Sequence, residues 1–275
     1  AAFDKENNIL DVWFESGASH SILGRRPDLP WPADVYIEGT DQYRGWFNSA
    51  LFAGAGARGG SPYKTCITHG FVLDEQGRAM SKSLGNVIDP ETIISKNGAE
   101  ILRLWVAMLN FREDTRLGDE VLGRLVDAYR KLRNTWRFLL GNLYDFNPDT
   151  ESLAGEDLLL LDRWALDRTA EIGRRIRQAY EDYEFHTVFH TISGFFTVDL
   201  SAIYLDVLKD RLYCSAKGSR LRKSAQTALF RILRETLELM APVLPFTTEE
   251  AWESLPAFAG KEASVHLRRF PAGEG

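Results

Sequence analysis

Apolar residues in the second half of the chain recur at spacings of three and four positions, the period of an amphipathic helix. Four such stripes can be followed, and Pro242 and Pro245 stop the last of them. Their members are Leu122, Leu125, Tyr129, Leu132, Trp136, Leu139 and Leu143; Ile172, Ile176 and Ala179, behind Trp164; Phe189, Ile192, Phe196, Ile203 and Val207; and Leu229, Ile232, Leu233, Thr236 and Met240. Four long amphipathic segments predict an α-helical bundle.

Two boundaries follow from the same pattern. After the prolines, the run from Thr247 to Glu250 has the spacing of a capping box, and it predicts one more short helix through Trp252 and Leu255. Between Met108 and Leu117, polar and charged residues interrupt the apolar pattern. We therefore expect two domains, comprising residues 1–110 and 111–275.

The first half has a different pattern. Residues 34–47 begin with alternating polar and apolar residues, continue with a cluster of acidic and amide residues, and end with aromatic residues. This order predicts a strand, a turn and a helix. Residues 64–70 predict a second strand, and residues 71–78 a hairpin-like turn. The fold class is thus α/β followed by all-α. In an open α/β sheet, polar groups at the carboxyl ends of strands converge on one ligand crevice, and the residues at such ends are Glu38, Asp41, Gln42, His69 and Lys82.

The loop of residues 77–86 combines Lys82 with the hydroxyls of Ser81 and Ser83 and with two glycines. A loop of this kind can wrap a polyphosphate, because lysine supplies a point charge while hydroxyls and exposed backbone N–H groups supply donors. Taken alone, the composition also fits an ordinary solvated turn. The neighbouring motifs decide between the two interpretations.

Four motifs follow one another along the chain: residues 10–17 (LDVWFESG), 38–47 (EGTDQYRGWF), 68–71 (THGF) and 80–83 (MSKS). Together they resemble the class I aminoacyl-tRNA synthetases, and more narrowly the isoleucyl-tRNA synthetases. The resemblance implies the second half of a Rossmann-like nucleotide-binding domain, followed by a helical anticodon-binding domain. The implied reaction is two-step acyl transfer, in which isoleucine reacts with ATP to give an adenylate and the acyl group then passes to tRNA(Ile).

Residue roles follow from the resemblance alone. Lys82 would be catalytic, stabilising the pyrophosphate leaving group, and Trp13 and Trp46 would form the walls of the isoleucine pocket. Mg²⁺ would accompany ATP without a dedicated protein site. The residues that would bind ATP or the adenylate are Glu38, Gly39, Asp41, Gln42, His69, Met80, Ser81, Lys82 and Ser83.

Two departures from the family pattern affect this interpretation. Ala79 stands where the KMSKS signature has its first lysine, and no HIGH-like motif occurs in these residues. We therefore expect a fragment that lacks the HIGH half and the editing domain and is inactive alone. Two alternatives stay open: a valyl- or leucyl-specific relative, and a non-catalytic tRNA-binding module.

The net charge of −6 argues at first sight against a nucleic-acid partner, but the distribution of charge matters more than its sum. Basic residues cluster in the helical half. Each cluster alone fits the solvated face of a helix, whereas the resemblance favours a tRNA phosphate track. The candidates are Arg130, Lys131, Arg174, Arg175, Arg177, Arg220, Arg222 and Lys223.

Other metal and membrane signals are weak. Two cysteines, Cys66 and Cys214, cannot form a four-cysteine zinc site, so we expect no zinc site and no other metal site in this chain. His186 and His190 stand four apart, but no third ligand is evident. The sequence shows neither a signal peptide nor an apolar run that we expect to cross a bilayer. We expect a cytoplasmic monomer.

Overall fold

A computed structural model describes residues 5–271, and by packing the chain divides into two compact units. The first comprises the residues up to Met80 together with Phe111–Arg116; the second comprises Ser81–Asn110 and the residues from Leu117 on. These units do not coincide with the predicted domains 1–110 and 111–275, because residues 81–110 pack with the helices and residues 111–116 with the strands. The domain boundary itself stays a prediction.

The first unit is built on two parallel strands, β1 (Ala33–Gly39) and β2 (Tyr63–His69), joined through helix α2 (Trp46–Arg58). A short helix α1 (Val12–Gly17) packs on α2. The hydrophobic core is small and contains Tyr36, Phe47 and Ala50. The predicted strand, turn, helix and second strand are all confirmed.

A second pair of strands attaches residues 111–116 to this unit. Strand β3 (Val72–Leu73) pairs in parallel with β4 (Thr115–Arg116), and the Thr115 N–H donates to the Phe71 carbonyl oxygen at 2.9 Å. The hairpin-like turn predicted for residues 71–78 is present, whereas the partner strand was not predicted, since β4 lies some forty residues further along the chain.

The second unit is helical. The first, second and fourth apolar stripes lie on long helices and face inward, as predicted: Leu125, Ile176 and Leu233 are fully buried. The helices are α3 (Pro90–Asn97), α4 (Ala99–Met108), α5 (Asp119–Gly141), α6 (Pro148–Glu151), α7 (Leu160–Glu181), α8 (Phe185–Gly194), α9 (Leu205–Tyr213), α10 (Arg220–Met240) and α11 (Pro245–Glu253).

The third stripe was only half right, because α8 and α9 are joined by a π-helix (Phe195–Tyr204). A π-helix bonds i to i+5 and takes more residues per turn than an α-helix, so it shifts the phase of the buried face. Ile203 and Val207, predicted to be buried, are 43% and 56% exposed, and Leu200 and Leu208 are buried instead.

The continuous stretch Phe185–Tyr213 is, by length and composition, apolar enough to cross a membrane, contrary to the sequence analysis. Such a stretch is weak evidence by itself, because the core helix of a bundle passes the same test. Here 44% of the most apolar window of this stretch is buried within the unit. Packing against the other helices therefore explains that part of the apolar surface.

The start of α11 corrects the predicted capping box. The helix begins at Pro245, and no side chain of its own caps it. Instead, the Glu100 carboxylate of α4 accepts the backbone N–H groups of Phe246 and Thr247, at 2.7 and 3.0 Å, and the Thr247 hydroxyl as well. A carboxylate at this position satisfies orphan N–H groups and complements the helix dipole, as an N-cap residue would.

A buried carboxylate joins three helices and the π-helix. Asp162 of α7 has no exposed surface, and it accepts hydrogen bonds from the Tyr204 hydroxyl at 2.7 Å and from the Ser224 hydroxyl. It also forms a two-pronged ion pair with Arg211 of α9. All the oxygens of this carboxylate are therefore paired, which is what allows a charge to be buried.

Candidate functional site

The carboxyl ends of β1 and β2 lie side by side in the first unit. Gly39 pairs with His69 in the parallel register, and Glu38 with Thr68. Beyond Gly39 the chain turns into a 3₁₀ helix, Thr40–Tyr43, in which the Asp41 carboxylate is exposed. The predicted convergence of polar groups at this sheet edge is therefore present for the part of the set that belongs to the first unit.

Gln42 ties this turn to α2. Its Oε1 accepts the Trp46 backbone N–H at 3.1 Å, and its Nε2 donates to the Asp41 carboxylate at 3.2 Å. Between them Gly45 has no room for a side chain, because a Cβ there would lie 2.6 Å from the Gln42 oxygen and 2.7 Å from the ring of Trp13. The glycine lets Trp13 reach the turn that carries Asp41 and Gln42.

The two tryptophans predicted as pocket walls have different surroundings. Trp46 stacks on Tyr36 with ring centres 4.3 Å apart, and its Nε1–H donates to the Ser16 carbonyl oxygen at 3.0 Å. Trp13 is 46% exposed and lines an open cavity of about 440 Å³ with Arg44 and Asn48. Trp46 does not line that cavity and is packed into the first unit, whereas part of the Trp13 ring is exposed; the role of both as pocket walls stays a prediction.

His69 ends β2, and its Nδ1 lies 2.8 Å from the Gly70 carbonyl oxygen. A hydrogen bond there requires the proton on Nδ1, which leaves Nε2 of the neutral ring as an acceptor. The next residue, Phe71, is held by Asp114, whose carboxylate accepts the Phe71 backbone N–H at 2.7 Å. Phe71 belongs to the motif of residues 68–71, but its contact with Asp114 was not predicted, because no local signal marks a contact that spans 43 residues.

The loop of residues 77–86, which contains the MSKS motif, is divided between the units. Its residues up to Met80 belong to the first unit, whereas Ser81, Lys82 and Ser83 belong to the second. There the Ser81 backbone N–H donates to Asn86 Oδ1 at 2.9 Å, and the two serine hydroxyls are 3.1 Å apart. The Lys82 side chain is exposed and bonds to nothing within residues 5–271. This is a compact turn with a free ammonium group, which is open to pairing with an anionic ligand.

Most of the predicted tRNA-binding residues have protein partners. Arg222 forms a 3.0 Å ion pair with Asp145, and both side chains are nearly buried. The others with partners are Lys223 with Glu151, Arg220 with the Asp157 carbonyl oxygen, Arg130 with Asp127, and Arg177 with the Pro271 carbonyl oxygen. Lys131, Arg174 and Arg175 are exposed and have no partner in the described part of the chain. A role in binding RNA stays a prediction for all eight candidates.

No group of three metal-ligating side chains occurs within residues 5–271. Cys66 and Cys214 are both free and exposed, and partial desolvation of its thiol by neighbouring atoms raises the pKa of Cys66.

Two family models match the chain. The model of class I tRNA synthetases (I, L, M and V) matches residues 1–118, and that of the anticodon-binding domain of tRNA ligases matches residues 162–275. Both stretches agree with the α/β and helical parts described above.

Curated relatives and solved structures agree with these matches. The isoleucine--tRNA ligases of Symbiobacterium thermophilum and Syntrophotalea carbinolica are each 54% identical over 98% of the chain, which spans 29% of their length. The fold is also that of an Agrobacterium radiobacter LeuRS solved with tRNA and LeuAMS (TM-score 0.70, 20% identity, 87% of this chain and 28% of that one). A Mycobacterium tuberculosis methionyl-tRNA synthetase bound by methionyl-adenylate is similar too (TM-score 0.68, 20% identity, 88% and 48%). The chain therefore belongs to the class I tRNA synthetases, as a segment that joins part of the catalytic domain to the helical anticodon-binding domain.

Proposed function

We propose that this chain serves an isoleucine--tRNA ligase, which activates isoleucine with ATP and transfers it to tRNA(Ile). The identity of 50–54% to isoleucine--tRNA ligases over nearly the whole chain carries this proposal. A valyl- or leucyl-specific enzyme is the second candidate, because the family model covers all of these specificities. The protein acts in the cytoplasm as a monomer.

The chain's own groups contribute by positioning and by charge. Asp41, Gln42 and the backbone at Gly39 contact the ribose and aminoacyl portion of the adenylate, and Glu38 contacts its nucleotide part. His69 lies at the same end of the sheet, next to Gly39, and adds a polar group close to the nucleotide. Lys82 stabilises the charge that develops on pyrophosphate, with Met80, Ser81 and Ser83 shaping the loop. Mg²⁺ would accompany ATP and offset the charge of its phosphates without a dedicated protein site.

Isoleucine-dependent exchange of pyrophosphate into ATP tests the proposed activity. The longer protein that contains this chain should show the exchange with isoleucine and much less with valine or leucine. Residues 1–275 alone should show none, because they contain no HIGH-like motif and their two-stranded β1–β2 sheet leaves Ile37 55% exposed. Stronger exchange with valine or leucine would favour the second candidate; robust exchange by residues 1–275 would refute the expected incompleteness.

Trp13 offers a test of the pocket that is separate from the fold. Trp13→Ala in the longer protein should weaken isoleucine binding by about 1–3 kcal/mol, because the ring no longer shields the apolar side chain of the substrate, and leave ATP affinity nearly unchanged. Since the ring is 46% exposed, the thermal midpoint should change little.

Trp46→Ala is the matched variant, because it removes the same side chain from a packed position. It should lower both isoleucine affinity and the thermal midpoint, since it breaks the stack on Tyr36. Equal losses of isoleucine and ATP affinity in Trp13→Ala, or isoleucine affinity left intact, would remove Trp13 from the pocket.

A further inference from the structure

The contact between α7 and α10 concentrates positive charge. Arg231, Arg234 and Glu235 stand within about one turn of α10, and Arg177 of α7 faces the Glu235 carboxylate. Gly173 of α7 makes this approach possible, because a Cβ there would lie 2.6 Å from Glu235 Oε1. Three guanidinium groups and one carboxylate thus share a small region of the second unit.

These groups do not satisfy one another. Arg231 is half-buried and forms no hydrogen bond or ion pair with any of residues 5–271. Within the same residues, Arg234 Nε and Glu235 Oε1 are sealed from solvent without a hydrogen-bond partner. The Arg234 guanidinium lies 5.9 Å from the ring centres of Phe230 and Phe258, contacts that give its N–H groups no acceptor oxygen. Buried donors and cations are normally paired, because leaving them unpaired is costly.

The neighbouring charges are already engaged. Glu238, the other carboxylate near Glu235, is 2.9 Å from Arg268, and Arg177 donates to the Pro271 carbonyl oxygen at 2.7 Å. Burial and the adjacent Arg234 lower the pKa of Arg231, and burial raises the pKa of Glu235 against the opposing effect of Arg177. The cluster therefore gains positive charge as the pH falls and Glu235 takes up a proton.

We propose that Arg231 and Arg234 form an oxyanion site that binds one phosphate group of an RNA backbone. The proposal rests on the proposed function, since it takes tRNA as the partner. A guanidinium suits this ligand because its planar donors match phosphate oxygens in pairs. The excess of two positive charges requires an anion: a phosphodiester from outside is the one proposed, a further carboxylate of the protein is the alternative, and the experiment separates the two.

Arg231→Gln is the central test, made in the protein and measured by titration with tRNA over a series of salt concentrations. Affinity at low salt should fall about tenfold. The slope of log K against log salt should become shallower by about one, because one phosphate is no longer neutralised. The thermal midpoint should stay the same or rise, because the change removes a half-buried cation that repels Arg234.

Arg124→Gln is the matched control. It removes the same charge from an exposed side chain that pairs with Glu120, and it should leave the slope unchanged. A wild-type slope in Arg231→Gln would overturn the site while leaving tRNA binding intact. A lowered thermal midpoint in that variant would show that a carboxylate of the protein is the partner. Absence of tRNA binding by the wild type would overturn the proposed function itself.

Glu235→Gln gives an independent readout. The wild type should bind tRNA more tightly as the pH falls, because protonation of Glu235 removes the negative charge beside the site. The glutamine variant should bind more tightly than the wild type at pH 8 and should lose that part of the pH dependence. Identical pH profiles for the two proteins would overturn the assignment.

Discussion

Replacing Asp162 by asparagine is expected to lower the free energy of unfolding of the second unit by about 3–5 kcal/mol. The variant keeps the shape of the side chain but removes its charge, so Arg211 is left largely buried without a counter-ion. Tyr204 and Ser224 also lose their charged acceptor. Urea unfolding followed by circular dichroism measures the change.

Asp127→Asn is the control for this variant. It makes the same chemical change at an exposed carboxylate 3.5 Å from Arg130, so the urea midpoint should hardly move. If Asp162→Asn were as well tolerated as Asp127→Asn, the buried network would not be a significant source of stability.

Replacing Lys82 by alanine in the longer protein should slow adenylate formation by about 2–4 kcal/mol of transition-state stabilisation, or roughly 30- to 1000-fold in rate. The Lys82 side chain has no partner within residues 5–271, so its loss should not disturb the fold. Isoleucine-dependent pyrophosphate exchange measures the rate. The loss should appear in the maximal rate, because the charge that lysine stabilises develops only as pyrophosphate leaves.

Two companion variants make this result specific. Lys96→Ala removes an exposed lysine from α3 of the same unit and should leave exchange unchanged. Lys82→Arg keeps the charge and should recover part of the rate. Exchange that is equally fast in Lys82→Ala and Lys96→Ala would exclude Lys82 from the chemistry.

The sequence predicted well what depends on local pattern. Helices α5 and α10 follow directly from their apolar spacing, and β1, the turn and α2 from the change of pattern around Gly39. The motifs likewise placed His69 and the Asp41–Gln42 turn at the carboxyl ends of their strands. In each case the residues that determine the feature are close together in the chain.

What the sequence missed depends on contacts between distant residues. The burial of Ile203 and Val207 was predicted from an α-helical period, and the π-helix changes that period. Arg222 resembled a free basic residue because its partner Asp145 is 77 positions away. For the same reason no pattern around Thr247 could show that Glu100 caps its helix, and Arg231 could not be distinguished from an ordinary surface arginine.

The cap that Glu100 provides for α11 also bears on the order in which the protein is made. Glu100 leaves the ribosome well before Thr247, which stands 147 positions later. Arg103 likewise precedes Pro242 and Val243, whose carbonyl groups accept its hydrogen bonds, by 139 and 140 positions. Contacts of such high sequence separation form late and slow folding. During synthesis α4 can pack on α3, α5 and α8 as they emerge, but its Glu100 carboxylate stays without the N–H groups that it caps until α11 has left the ribosome.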